Sequence, residues 1–278
     1  MFQALTAAAL TGLVTGVGAF PFFFIRQLPR RAYDGILGLG AGLMMAAATL
    51  GLLHEALEGV NRANGLDLGR LVLVATGFLA GVLVASVMDR LIPHRHAHGH
   101  RHHIAPGYHD VEAHDQRVEI RQSYAIVGAL SIHRIPEGLA IGAGFASGHG
   151  NRLGWLLVAA VGIQNICEGV VMGAPLRLSG VSPSRGLLVV AASGLAVPLG
   201  ALVGHGLSSW AFLTLPFILA LAAGILIYVT SNEIIPESHS HGHEGAASTG
   251  LVLGFLLTML IGAVLRLLLD NSWTILAP

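Results

Sequence analysis

The segment SIHRIPEGLA, Ser131 to Ala140, places an imidazole, a guanidinium, a proline and a carboxylate within five residues: His133, Arg134, Pro136 and Glu137. A second segment, GIQNICEGVV, supplies Gln164, Asn165, Cys167 and Glu168. Around both, nearly everything is Ala, Gly, Leu, Ile or Val. His133 and Glu137 stand four apart, as do Gln164 and Glu168, so each pair shares one helix face. Each glutamate precedes a glycine, Gly138 or Gly169. Two helices meeting across those glycine-lined sides would bring the four polar groups to one point. One imidazole, two carboxylates and an amide oxygen suit Zn²⁺, Fe²⁺ or Mn²⁺ better than a hard cation such as Ca²⁺. Pro136 lacks an amide donor and so frees the carbonyl of Ile132. Met44 and Met45 offer a thioether, although core filling explains a methionine in an apolar helix equally well. The alternative to ligation is a buried ion-pair network that only joins helices, which leaves the matched partners of the two glutamates unexplained.

The elements that position these groups must cross a membrane. The chain has 278 residues, 54% of them hydrophobic and only 11% charged, with a mean hydropathy of +0.71. A soluble domain carries roughly 25% charged residues. Fifteen arginines balance fifteen acidic residues, which leaves no basic field for nucleic acid. No phosphate-cradling G-x-x-x-x-G-K-[ST] motif occurs, so no nucleotide partner is expected. The lone Cys167 forms no internal disulfide. Charge follows the first apolar run instead of preceding it, which argues against a cleaved signal peptide. Stretches of about 20 apolar residues predict eight spans, near 4–25, 35–57, 68–90, 122–145, 152–175, 186–208, 212–236 and 249–269. The expected fold is an all-α polytopic bundle of eight transmembrane helices forming a single domain over 1–278, embedded in the lipid bilayer. Small residues four apart, as in Gly77 to Gly81 and Gly200 to Gly204, predict close helix contacts. Arginines concentrate in the links after odd-numbered spans. The positive-inside rule therefore puts those links in the cytoplasm and both termini outside.

Polar clusters mark both ends of the bundle. Residues 91–119 hold eight histidines between His94 and His114, a cytoplasmic loop suited to metal capture or sensing. Glu233 and Glu237 close span 7 beside His239, His241 and His243, as an exit relay. His54, Glu55 and Glu58 close span 2, as an entrance relay. Surface solvation is the alternative for both groups.

In combination these strings resemble the ZIP family of divalent metal transporters, and within it the bacterial GufA-like branch. The resemblance rests on GAGLMMAAA in span 2, HRIPEG in span 4, QNICEG in span 5, SGLAVPLG in span 6 and AAGILIYVTSNEIIPESH closing span 7. It implies inward transport of Zn²⁺ as substrate, with Cd²⁺, Fe²⁺ or Mn²⁺ as further candidates, and neither enzymatic activity nor a cofactor. It also implies a homodimer in the cell inner membrane. The ligands implied are Met44, His133, Glu137, Gln164 and Glu168. A second metal site in this branch would share Glu137 and Glu168 and add asparagine at 134, asparagine or an acid at 165, and glutamate at 197. Here position 165 is Asn165, but 134 is arginine and 197 is valine. A guanidinium has donors only and stays charged. The expectation is therefore a mononuclear site in which Arg134 supplies the charge of the missing ion. Alternatively, Arg134 swings away to snorkel. The rival functions are a metal exporter or Ni/Co permease, and a regulator that binds metal without moving it.

Overall fold

The computed structural model describes residues 1–25, 28–58, 67–91, 152–208 and 214–274, together with 120, 121, 123, 124, 127, 128 and 130–146. The expected loop 91–119 lies, from 92 onward, outside the described residues.

Apolar runs lacking internal proline form α1 (Phe2–Ala19), α2 (Arg30–Ala46) and α4 (Leu68–Leu91). α2 continues through a π-helical stretch, Ala47–Leu53, into α3 (His54–Glu58). The later elements are α5 (Arg134–Ala146), α6 (Arg152–Leu178), α7 (Pro183–Ser193), α8 (Ala196–Ser208) and α9 (Thr214–Val229). A second π stretch, Thr230–Ile234, leads to α10 (Ile235–Ser238), and α11 (Glu244–Thr274) is the last described helix. No strand occurs among the described residues, and seven helices are long and apolar enough to cross a membrane. The remaining expected span, the fourth at 122–145, is represented by α5 and by helical residues ahead of it.

Two spans are broken where proline removes a donor. The helical path of span 4 is interrupted at His133, just after the Ile132 carbonyl that Pro136 cannot engage. The sixth span, expected as continuous over 186–208, is also split. Gly194 and Leu195 form a turn because Pro198 offers no amide to the Gly194 carbonyl.

Glycine decides which helices touch. α5 packs on α8, α1 on α6, α2 on α11 and α4 on α9. A Cβ on Gly138 would stand 1.9 Å from the Val197 carbonyl oxygen, and one on Gly200 would stand 2.1 Å from that of Ile135. On the other side of the site, a Cβ on Gly169 would lie 2.0 Å from the Thr15 carbonyl oxygen. The two glycines after the glutamates therefore do not line one shared interface, as the spacing suggested. Gly138 faces α8 and Gly169 faces α1, because the residue after each glutamate points about 100° around the helix. The expected contacts at Gly77, Gly81, Gly200 and Gly204 all form.

Burial is inverted relative to a water-soluble protein. Leu79 and Leu83 on α4, and Val252, Leu253 and Leu260 on α11, are exposed, whereas His133, Arg134, Glu137 and Glu168 are buried. Such a surface is solvated by lipid, so the chain is a multi-pass membrane protein.

Replacing Gly138 with alanine forces α5 away from α8 and is expected to lower thermal stability in detergent by about 1–3 kcal/mol, the cost of overpacking. Gly262→Ala is the control, since a Cβ there meets open space. Equal melting temperatures for the two variants would contradict the close-packing account.

Candidate metal site

α5 starts immediately after the break at His133, so Arg134, Pro136 and Glu137 all fall in its first turn. α6 passes beside it, held by the edge-to-face rings of Phe145 and Trp155 at 5.4 Å. Between the two helices lie His133, Arg134, Glu137, Gln164, Asn165 and Glu168, none more than 5% exposed.

Gln164 joins the carboxylates. Its Nε2 donates to Glu168 Oε1 at 2.8 Å and to Glu137 Oε1 at 3.3 Å. Arg134 lies on the far side of Glu168: Nη2 reaches Glu168 Oε2 at 3.4 Å and Met172 Sδ at 3.4 Å, and Nη1 donates to the Thr15 hydroxyl. The guanidinium is fully buried and has not snorkelled. Asn165 Nδ2 donates to the Thr11 carbonyl at 3.0 Å. Two buried acceptors, Glu137 Oε2 and Asn165 Oδ1, have no hydrogen-bond partner among the described residues. An acceptor left in that state costs about 1–3 kcal/mol, more when charged, and a bound cation, an ordered water or a proton on the carboxylate each removes that cost. Among the described residues no three His, Cys, Asp or Glu side chains stand grouped as a ready cage. An ion placed here would meet the Gln164 oxygen only if the amide, whose Nε2 now faces both carboxylates, turned over.

Met44 is buried, while Met45 is only half-buried. The Met44 sulfur accepts from Thr230 at 3.8 Å, in the core cluster that also holds Met172. Val197 is fully buried among apolar residues, with its backbone against Gly138. Position 197 thus adjoins the residue after Glu137, yet it contributes no ligand atom.

A cavity of about 370 Å³ runs from His54 and Glu55 to Glu137 and Gln164, walled by apolar residues such as Leu157 and Leu226. Span 2's polar end and the buried site thereby open into one space. Glu233 and Glu237 lie elsewhere, in the second π stretch and in α10, and Glu237 approaches His241 at 3.9 Å.

Several participants had no distinctive sequence signal. Thr11 and Thr15 on α1 contact the site through a carbonyl and a hydroxyl, and threonines in an apolar helix are common. Asp89 accepts from Asn232 at 3.1 Å, linking α4 to the second π stretch. Asp34 is fully buried near the start of α2. It follows Arg30 and Arg31 just ahead of the expected span, where an acidic residue reads as an ordinary boundary residue.

The family model described as ZIP Zinc transporter matches residues 93–269. The zinc transporter ZIPB of Bordetella bronchiseptica is 36% identical over 251 residues, which cover 90% of this chain and 77% of that protein. The zinc transporter GufA of Myxococcus xanthus is 37% identical over 263 residues, 94% of this chain and 98% of the relative. The zinc transporter ZupT of Chlorobium chlorochromatii is 31% identical over 258 residues, 91% and 94% of the two chains. The match runs from the third link to the last span, and the relatives align over most of their length, so the chain belongs to the ZIP zinc transporter family.

Proposed function

We propose that this chain moves divalent transition-metal cations, zinc foremost, into the cytoplasm across the cell inner membrane. In this reading it works as a homodimer that carries one ion at a time through the site between α5 and α6. The observation that carries the reading is a pair of buried glutamates, joined by Gln164, at the inner end of a cavity that begins at His54 and Glu55. The zinc transport named for the relatives supports it.

A cation entering the cavity exchanges water for His133, Glu137, Gln164 and Glu168, with Met44 as the soft neighbour. The carboxylates supply two negative charges and Arg134 returns one positive charge, so a single divalent ion leaves the group at +1. With two divalent ions and Arg134 the charge would be +3, which a low-dielectric interior does not tolerate. The arginine and Val197 both favour one ion.

The topology also favours cytoplasmic odd-numbered links. Arg177 Nε donates to the Ile25 carbonyl at 2.7 Å, so the first and fifth links share a face. Asp34 contacts His241 and His243, which brings the seventh link, devoid of arginine, to that same face. Both termini then lie outside.

In proteoliposomes, Glu168→Gln is expected to reduce radiolabelled zinc uptake to the level of empty vesicles while the protein stays folded. Wild-type flux in the variant would overturn the reading, and competition by Cd²⁺, Fe²⁺ and Mn²⁺ in the same assay ranks the substrates. The charge argument makes a separate prediction. The double variant Arg134→Asn, Val197→Glu should raise tightly bound zinc from one to two ions per chain, measured by metal analysis after desalting. An unchanged count would refute the role given to Arg134.

A further inference from the structure

We infer that Thr15 is a positioning residue for the metal site: its hydroxyl holds the Arg134 guanidinium on the α1 side of the two glutamates, away from the carboxylate face that borders the cavity. What that open face receives rests on the transport reading above, but the placement of Arg134 by Thr15 does not depend on it.

Arg134 and Glu137 stand three positions apart in the first turn of α5, a spacing at which opposite charges meet on a helix. Both are buried, and each keeps an unpaired atom. Arg134 Nε has no acceptor and Glu137 Oε2 has no donor among the described residues. An unpaired donor and an unpaired acceptor are both costly when buried, so two such groups on one turn normally satisfy each other. Here they do not, because the guanidinium is turned elsewhere. Its Nη1 donates to the Thr15 hydroxyl, and its Nη2 reaches Met172 Sδ and Glu168 Oε2, each at 3.4 Å. Sulfur is a weak acceptor. The 3.4 Å to Glu168 is long beside the roughly 2.7–2.9 Å of a close charged pair. The Thr15 hydroxyl is therefore the firmest of the three contacts.

The hydroxyl is itself fixed. It donates its single proton to the Gly12 carbonyl at 2.7 Å, which leaves only lone pairs for Arg134. Thr15 is fully buried, and a Cβ on Gly169 would lie 2.0 Å from its carbonyl oxygen. A Cβ on Gly18 would lie 1.8 Å from the Ile166 carbonyl oxygen, so α1 and α6 touch backbone to backbone at this level and Thr15 cannot recede. A neutral acceptor also orients the guanidinium without cancelling its charge. Glu137 and Gln164 line the cavity, whereas Arg134, Thr15 and Met172 do not. Without the hydroxyl, Nη1 loses its partner in a buried place, and Glu137 Oε2 is an unpaired acceptor on the same helical turn. An arginine paired with Glu137 occupies the carboxylate that a metal ion needs, and acts as a tethered competitor.

The test is zinc binding to the full-length protein in detergent, by equilibrium dialysis with radiolabelled zinc. Thr15→Val removes the hydroxyl at nearly constant volume and is expected to raise the zinc Kd about tenfold or more, the effect of losing a hydrogen bond to a charged group. Thr15→Ser, which keeps the hydroxyl, should restore tight binding. In an Arg134→Asn background, Thr15→Val should change the Kd no further, since no guanidinium remains to swing. An unchanged Kd in Thr15→Val, or an equal loss with and without Arg134, would overturn the inference. If valine prevents folding, Thr15→Ala is compared with Thr15→Ser in the same way. In proteoliposomes the half-saturating zinc concentration should rise in Thr15→Val while the maximal rate is retained. The expected Kd pattern in a protein without zinc flux would remove the transport reading and leave the role of Thr15 standing, whereas a wild type that binds no zinc would overturn both.

Discussion

Two carboxylates side by side inside an apolar bundle repel each other and have lost their water, and the surrounding structure is organised around that cost. Glu137 and Glu168 are neutralised in stages. The Gln164 amide donates to both, and the Arg134 guanidinium accompanies Glu168. Removing one member of a buried ion pair costs about 3–5 kcal/mol, because the remaining charge stays desolvated. A fixed internal cation therefore changes what the site can accept. In the transport reading above, one divalent ion beside Arg134 leaves a small positive excess and a second would enlarge it, which a low-dielectric interior resists.

That balance requires side chains from several helices within a few ångströms, and glycine makes the approach possible. Gly169 lets α1 press its Thr15 turn against α6 beside Glu168, which is why a threonine from the first span reaches Arg134. Gly138 and Gly200 bring α5 and α8 into backbone contact in the same way. The proline breaks at His133 and at Gly194–Leu195 fall in these paired spans. Backbone that leaves the regular helix is tolerated in a membrane where protein or an aqueous cavity covers it.

The cavity and the Asp34 cluster lie at opposite ends of span 2. One end carries His54 and Glu55 at the mouth of the cavity, and the other presents a buried carboxylate to two histidines of the seventh link. Span 2 thus connects the two polar ends of the bundle, with the π stretch Ala47–Leu53 between them. A π turn packs one extra residue into the helix and is often found at functional positions.

The sequence by itself determined the class and the polar residues buried within it. Length and hydropathy required a bundle of membrane helices, because so few charged residues cannot cover a water-facing surface. The four-residue spacing of His133 with Glu137, and of Gln164 with Glu168, marked which polar groups would lie close together, because helix periodicity is local. The arginine at 134 and the valine at 197 were legible as departures from the family pattern, because a guanidinium and an isopropyl group offer no acceptor in any surroundings. Only the tertiary structure decided the partners. It turned Gly138 toward α8 and Gly169 toward α1, brought Thr15 to Arg134, split the sixth span at Gly194, and joined Asp34 to His241 and His243 across more than two hundred residues of chain. Such contacts depend on which helices approach closely enough to exclude lipid and water, and that is a property of the packed bundle that no single segment contains.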